Sequence, residues 1–154
     1  MNYESRKKGF VSLFALLLAN IFLVIGVSVF SVSLKELSLS TGGGGSMLAF
    51  FAADGGIECA LYWDLRQDAF AIGAQSSAVN CAGQDNAITT VDLGGGNERS
   101  DFNFHFTQGD INSPFVKVEV TKKTDGSTVI KSYGRNNNDP NNRRRVERAW
   151  KVSY

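Results

Sequence analysis

From Gly9 to Leu34 the chain carries no charged side chain, and Leu, Ile, Val and Phe dominate the interval. A helix rises about 1.5 Å per residue, so about 20 apolar residues cross the hydrocarbon core of a bilayer. The run exceeds that requirement and leaves three readings of "RKKGFVSLFALLL", which begins at Arg6: a secretion signal, a permanent membrane anchor, or a junction cut ahead of the apolar run. A cleavable signal has an apolar core of about 7–15 residues followed by an A-x-A-like site. Here the run is longer and Ser31-Val32-Ser33 is a poor substitute for that site, so simple secretion is the weakest of the three. Arg6, Lys7 and Lys8 precede the run, whereas Lys35 after it is balanced by Glu36. That asymmetry places the N-terminus in the cytoplasm and the C-terminal part outside, at a cytoplasmic membrane.

Within the run, Ser12, Ser28, Ser31 and Ser33 can bond back to carbonyls of their own helix at small cost. Asn20 cannot satisfy its whole amide that way. It is either tolerated in a long anchor or bonded to a neighbouring helix, polar side chains being interhelical glue in lipid.

After Lys35 the composition is that of a water-exposed protein, rich in Gly, Asn, Asp and Thr. The whole chain of 154 residues has a formal net charge of +1. A general nucleic-acid binder needs a strong basic excess, so that class is disfavoured. Met47, Phe50, Phe51, Ile57, Leu61 and Leu65 recur at three- and four-residue spacings and predict an amphipathic helix with one apolar stripe. Between it and the first helix lies Thr41-Gly42-Gly43-Gly44-Gly45-Ser46. Each glycine costs a helix interior about 1 kcal/mol relative to alanine. The stretch reads as a hinge in a long helix, a loop between two helices or an engineered spacer; a natural flexible break is the favoured reading.

The second helix is expected to end near Arg66–Phe70, followed by a Gly/Ser/Asn-rich passage from Gly73 to Gly96 with a short strand at Ile88–Leu93. Cys59 falls on the helix and Cys81 in this passage. They are two buried thiols or one bridge, and external placement favours the bridge. From Asp101 the hydrophobic period becomes two. Phe102, Phe104 and Phe106 alternate with polar residues, as do Val116, Val118 and Val120. Asp125-Gly126 supplies a hairpin turn, Thr128–Tyr133 returns as a strand, and Val146, Arg148, Trp150, Val152 and Tyr154 share a face. The expected fold is α+β: a long N-terminal helix, half membrane-spanning and half amphipathic, packed on an antiparallel sheet of about four strands. The stripe from Met47 to Leu65 is the expected cover of the sheet. The corresponding segments are a basic leader 1–9, a spanning helix 10–34, an amphipathic helix 35–70 with a Gly-rich break at 41–46, and an external loop-and-sheet part 71–154.

Reactive groups are sparse. His105 is the sole histidine and reads as a polar residue on a strand face; no nucleophile-elbow motif accompanies it, so no catalytic residue is assigned. Asp54 and Glu58 share a helix face at i, i+4 without further ligands. Gly109-Asp110-Ile111-Asn112 and Asn136–Asn142 lack EF-hand spacing and read as turns, and Gly94-Gly95-Gly96 as a loop tip. No metal or cofactor is expected. Arg143, Arg144, Arg145 and Arg148 form the one basic cluster, read as a solvated strand start balanced by Glu147, with DNA an unlikely partner.

Lys8-Gly9-Phe10 ahead of a long uncharged helix, with an antiparallel sheet at the C-terminus, resembles the type IV pilins and pseudopilins. The stretch Leu48-Ala49-Phe50-Phe51-Ala52-Ala53-Asp54 looks like the corresponding stretch of PilX-type minor pilins. The resemblance covers the N-terminal helix through about Trp63 and the general architecture beyond it. It implies that a prepilin peptidase cuts between Gly9 and Phe10, leaving Phe10 as the mature, often methylated, N-terminus. It implies other pilin-like subunits, an inner-membrane assembly platform and the lipid bilayer as further partners, and an extracellular filament as the destination. Major pilins carry a glutamate at the fifth mature position, which here is Phe14; its absence favours a minor or tip subunit. The alternative is a permanently anchored external domain, an adhesin or sensor component.

Overall fold

The computed structural model describes residues 4–74 and 76–154, with residues 4–9 and Thr41 described in backbone alone. Of the expected leader, residues 1–3 lie outside the described residues. Helix α1 (Glu4–Gln67) is followed by β1 (Ala78–Cys81), β2 (Gln84–Ala87), β3 (Thr89–Gly94), β4 (Asn97–His105), β5 (Phe115–Lys122), β6 (Thr128–Arg135) and β7 (Glu147–Ser153). Compactness divides the chain between Thr41 and Gly42 into a helical unit and a head, Gly42–Tyr154. The head is α+β, the second half of α1 lying on an antiparallel sheet.

The sheet is a five-stranded meander ordered β3-β4-β5-β6-β7, and β1-β2 form a separate hairpin. The period-two stretches from Asp101 onward became β4 to β7, and the short strand expected at Ile88–Leu93 is β3. The hairpin was hidden because its sequence, Ala78-Val79-Asn80-Cys81 and Gln84-Asp85-Asn86-Ala87, has no apolar alternation. Its inward Asn86 is instead satisfied by backbone, donating to the carbonyls of Val79, Cys81 and Gln84. The turn between the strands places Ala82 and Gly83 at φ 54° and 71°, the two left-handed positions that a two-residue hairpin of matching twist requires.

Helix α1 stops in the region expected. Asp68 takes a left-handed φ of 49° and its N–H donates to the Asp64 carbonyl, a cap that closes the last turn. The glycine run, expected to break the helix, is helical throughout. No side chain lies near enough to Gly42, Gly43 or Gly44 to meet an added Cβ, whereas one at Gly45 would lie 3.1 Å from Asn136 Nδ2. Packing therefore demands a small residue only at the last of the four. The other three lower helix propensity without serving a contact.

The cover of the sheet differs from the expected stripe. Ala49, Ala52, Ala53, Ile57 and Ala60 are buried, while Met47, Phe50, Phe51 and Leu65 are 62%, 42%, 58% and 64% exposed. Ile57 alone of the expected stripe is buried, with Leu61 packed at the core's margin. The reason is the closeness of helix and sheet. A Cβ on Gly134 of β6 would collide with backbone atoms of Ala49 and Ala53, and one on Gly56 of α1 would collide with the side chains of Ser132 and Val116. Large residues do not fit in such a gap, so the small face turns inward. Apolar volume comes instead from the sheet, through Phe102, Phe104, Val116, Val118, Val120 and Ile130, with Phe70 stacked on Phe102 at 5.8 Å between ring centroids. Phe106 lies past the end of β4 and is 45% exposed, so the expected alternation ends one residue early.

Gly134→Ala places a methyl against helix backbone that has no rotamer to yield. Its expected cost is about 3 kcal/mol, the upper part of the overpacking range, read as a lowered denaturation midpoint of the full chain in detergent. Ser132→Gly, which only empties space beneath Gly56, is the milder comparison.

Candidate functional site

Two parts of the chain carry distinctive chemistry: the apolar first part of α1, and the groups that hold the head together around its second part. From Phe10 onward α1 is long and apolar enough to cross a membrane. Phe10 and Phe14 are 73% and 53% exposed, as are most of the Leu, Ile and Val residues up to Leu34. Such a surface is stable only in lipid or against other apolar surfaces. Three of the four serines bond back as expected: Ser28, Ser31 and Ser33 donate to the carbonyls of Val24, Val27 and Val29 at 2.8, 3.0 and 3.1 Å. Among the described residues no group bonds the exposed Asn20 side chain. Gly9 is helical in backbone; its surroundings lie outside the described residues.

Cys59 and Cys81 form a disulfide with Cα atoms 6.0 Å apart. It ties the β1–β2 hairpin to α1, and two further contacts reinforce it. Trp63 donates its indole N–H to the Asn80 carbonyl at 3.0 Å, and Gln84 donates to the His105 carbonyl at 2.8 Å, linking the hairpin to β4. His105 itself sits with its ring 4.8 Å from Phe115 and, among the described residues, has no serine or carboxylate hydrogen-bonded to it. Among the described residues no three His, Cys, Asp or Glu side chains converge as a metal would require.

A second fastening is absent from any motif. Asp64, 2% exposed near the end of α1, receives Lys122 Nζ at 2.7 Å and the Tyr154 hydroxyl, both on Oδ2. Tyr154 is itself held by two backbone bonds to Thr128, so α1, β5 and the end of β7 meet at one carboxylate. Burial first, and then the hydrogen bond to Asp64 and its negative charge, push the Tyr154 phenol well above its ordinary value. The sequence offered one signal: an acid at the helical position where the inward face continues from Ala53, Ile57 and Ala60.

The expected turns are in place. Asp110, Asp139 and Asn142 accept backbone N–H bonds from Asn112, Asn141 and Arg144 at 2.8–2.9 Å, and Asn138 N–H donates to the Ile111 carbonyl, joining the two loops. Gly94, Gly95 and Gly96 turn between β3 and β4 with φ between 65° and 83°. One electrostatic expectation is corrected. Glu147 does not balance the arginine cluster; it pairs with Arg135 across the β6–β7 ladder at 2.6 Å. Arg143, Arg144 and Arg145 are exposed and without an ion-pair partner among the described residues; the half-buried Asp54 and the exposed Glu58 on α1 also lack one there.

No family model, curated protein or solved structure matches this chain.

Two outcomes follow from the fastenings. Reducing the Cys59–Cys81 bridge, whose partners lie 22 residues apart, should lower head stability by about 3 kcal/mol in the chain-entropy account, measured by denaturation with and without reductant. For Tyr154 the sign is set by its raised pKa. The folded state keeps the proton longer, so the contribution is complete below the ordinary phenol value of about 10 and declines as pH rises above it toward the higher folded value. Melting temperature followed upward from pH 9 should fall more steeply in the native chain than in Tyr154→Phe.

Proposed function

We propose that this chain is a structural, pilin-like minor subunit of a type IV pilus or a related secretion filament. In this reading a prepilin peptidase cuts between Gly9 and Phe10, and the processed subunit assembles through its N-terminal helix. The supporting observation is a single helix, α1, that carries an uncharged and solvent-exposed first part and ends inside a disulfide-fastened α+β head. Lipid tails and the packed helices of a filament are both apolar. One surface can therefore serve as a membrane anchor before assembly and as a packing surface afterwards.

Details of the chain fit that use. The basic residues Arg6, Lys7 and Lys8 precede the junction and hold the leader on the cytoplasmic side. The bridge agrees with a head outside the cytoplasm, where disulfides persist. Phe14, in place of a carboxylate, leaves the helix no buried charge to pair with a neighbouring amine. That argues for a minor or tip position over the shaft.

The decisive measurement is the N-terminus of the protein recovered from cells with and without the peptidase. The expected result is a chain starting at Phe10 only when the peptidase is present, with processing lost in Gly9→Val. A chain that keeps residues 1–9 in competent cells overturns the reading and leaves a permanently anchored external domain.

A further inference from the structure

Alternate residues of β7 and the chain end run beside α1 in order. Arg148 donates to Ser46 Oγ at 2.9 Å, the Trp150 ring lies 5.3 Å from that of Phe50, and the Tyr154 hydroxyl reaches Asp64. The start of β7 is therefore level with the start of the head's helix, the end at which the chain joins the apolar run. Arg143, Arg144 and Arg145 come just before β7 and lie at that end too. Asn136, which donates to the Arg144 carbonyl, comes within 3.1 Å of where a Cβ on Gly45 would stand.

Two features of this end are unlike an ordinary solvent face. The first is charge without a counter-charge. Arg143, Arg144 and Arg145 are exposed and have no ion-pair partner among the described residues, because the neighbouring Glu147 is committed to Arg135 and Asp139 accepts the Asn141 N–H. The loop keeps its shape without the guanidinium groups. Asn136 Oδ1 accepts the Val146 N–H, and Asn142 accepts the N–H groups of Arg144 and Arg145. The second feature is aromatic. Trp150, Phe50 and Phe51 are exposed and touch in sequence, with ring centroids 5.3 and 5.8 Å apart. Such a cluster is costly in water. Beside unneutralised arginines it has the composition of a surface that lies in a membrane interface, with rings at the acyl boundary and cations on the phosphates.

We propose that this end of the head docks on an anionic phospholipid surface, the outer face of the membrane that carries the first part of α1. The proposal rests on α1 spanning a membrane and is independent of cleavage after Gly9. The tether selects the occupant. Ser46 follows Leu34 by 12 residues, a length of about 18 Å in helix and about 40 Å at full extension. The patch is thus held at high effective concentration over the headgroups and needs little intrinsic affinity. Gly42, Gly43 and Gly44 meet no neighbour in the head and have low helix propensity, so the head can lean there. A DNA duplex would engage the arginines through its phosphates and leave the rings unused; a lipid interface uses both. Docking of this kind strengthens with the anionic lipid content and weakens as salt rises.

The test places the full-length chain in symmetric vesicles of phosphatidylcholine alone, or of phosphatidylcholine with phosphatidylglycerol. Acyl chains brominated near the headgroup quench any indole that reaches them. In the native chain the expected result is quenching with phosphatidylglycerol and little without it. Trp150→Phe should abolish that quenching, since Trp63 lies toward the other end of α1 and bonds to Asn80. Arg144→Ser with Arg145→Ser should lower the docked-to-free ratio by roughly fivefold for each arginine, and Arg144→Lys with Arg145→Lys should retain it. Equal quenching in the two vesicle types overturns the proposal, and that comparison needs no variant. Quenching that survives loss of both arginines, or is lost in the lysine pair, also overturns it. Displacement by inorganic phosphate or a short DNA duplex at matched ionic strength assigns the loop to a free anion or to nucleic acid instead. Quenching that rises with the protein-to-lipid ratio assigns the patch to a second copy and likewise sinks the proposal. The chain in the vesicles keeps residues 1–9, so docking stands or falls separately from processing.

Discussion

The structure of the head depends on how closely α1 approaches β6. At Gly134 the sheet has no side chain and at Gly56 the helix has none, so backbone lies almost on backbone there. Close approach has two consequences. It maximises dispersion contacts per residue, because few atoms are held apart by side-chain bulk. It also fixes which helix residues can face inward at that point, where Ala49, Ala53 and Gly56 meet the sheet. Ser132 illustrates the constraint: it is fully buried and its hydroxyl finds no partner. An unsatisfied hydroxyl costs free energy, and the site accepts that cost where a larger apolar side chain would push the helix away.

With its small face inward, the helix offers its large residues to the outside. In most amphipathic helices the apolar stripe and the buried face coincide; here they lie on opposite sides. The helix must then be held by more than its own apolar burial. The bridge from Cys59, the Trp63 indole bond and the Asp64 carboxylate fasten its last turns, while Arg148 ties its start through Ser46. Gly42, Gly43 and Gly44 precede the first of these contacts, and no neighbour in the head meets them. The first hydrogen bond from the sheet reaches Ser46, and low helix propensity lies just before it. Any opening of α1 starts most easily there, since those glycines forgo no tertiary contact when they leave the helix.

Much of this was legible in the sequence, and the failures are physically specific. Period-two alternation placed the central strands because β4, β5 and β6 have one buried face each. The expected external placement made the cysteine bridge readable from two residues. The inward face of α1 was misread because hydrophobic periodicity measures which residues are apolar, not how far a partner surface stands off. Ala49, Ala53, Gly56 and Ala60 also recur at three- and four-residue spacings, yet small residues weigh little in such a count. The β1–β2 hairpin escaped for a related reason: its core contribution is one valine and one cysteine, and its pairing is supported by Asn86 bonding to backbone. Asp64 was invisible because a lone acid acquires meaning only when Lys122 and Tyr154, distant in sequence, are brought to it.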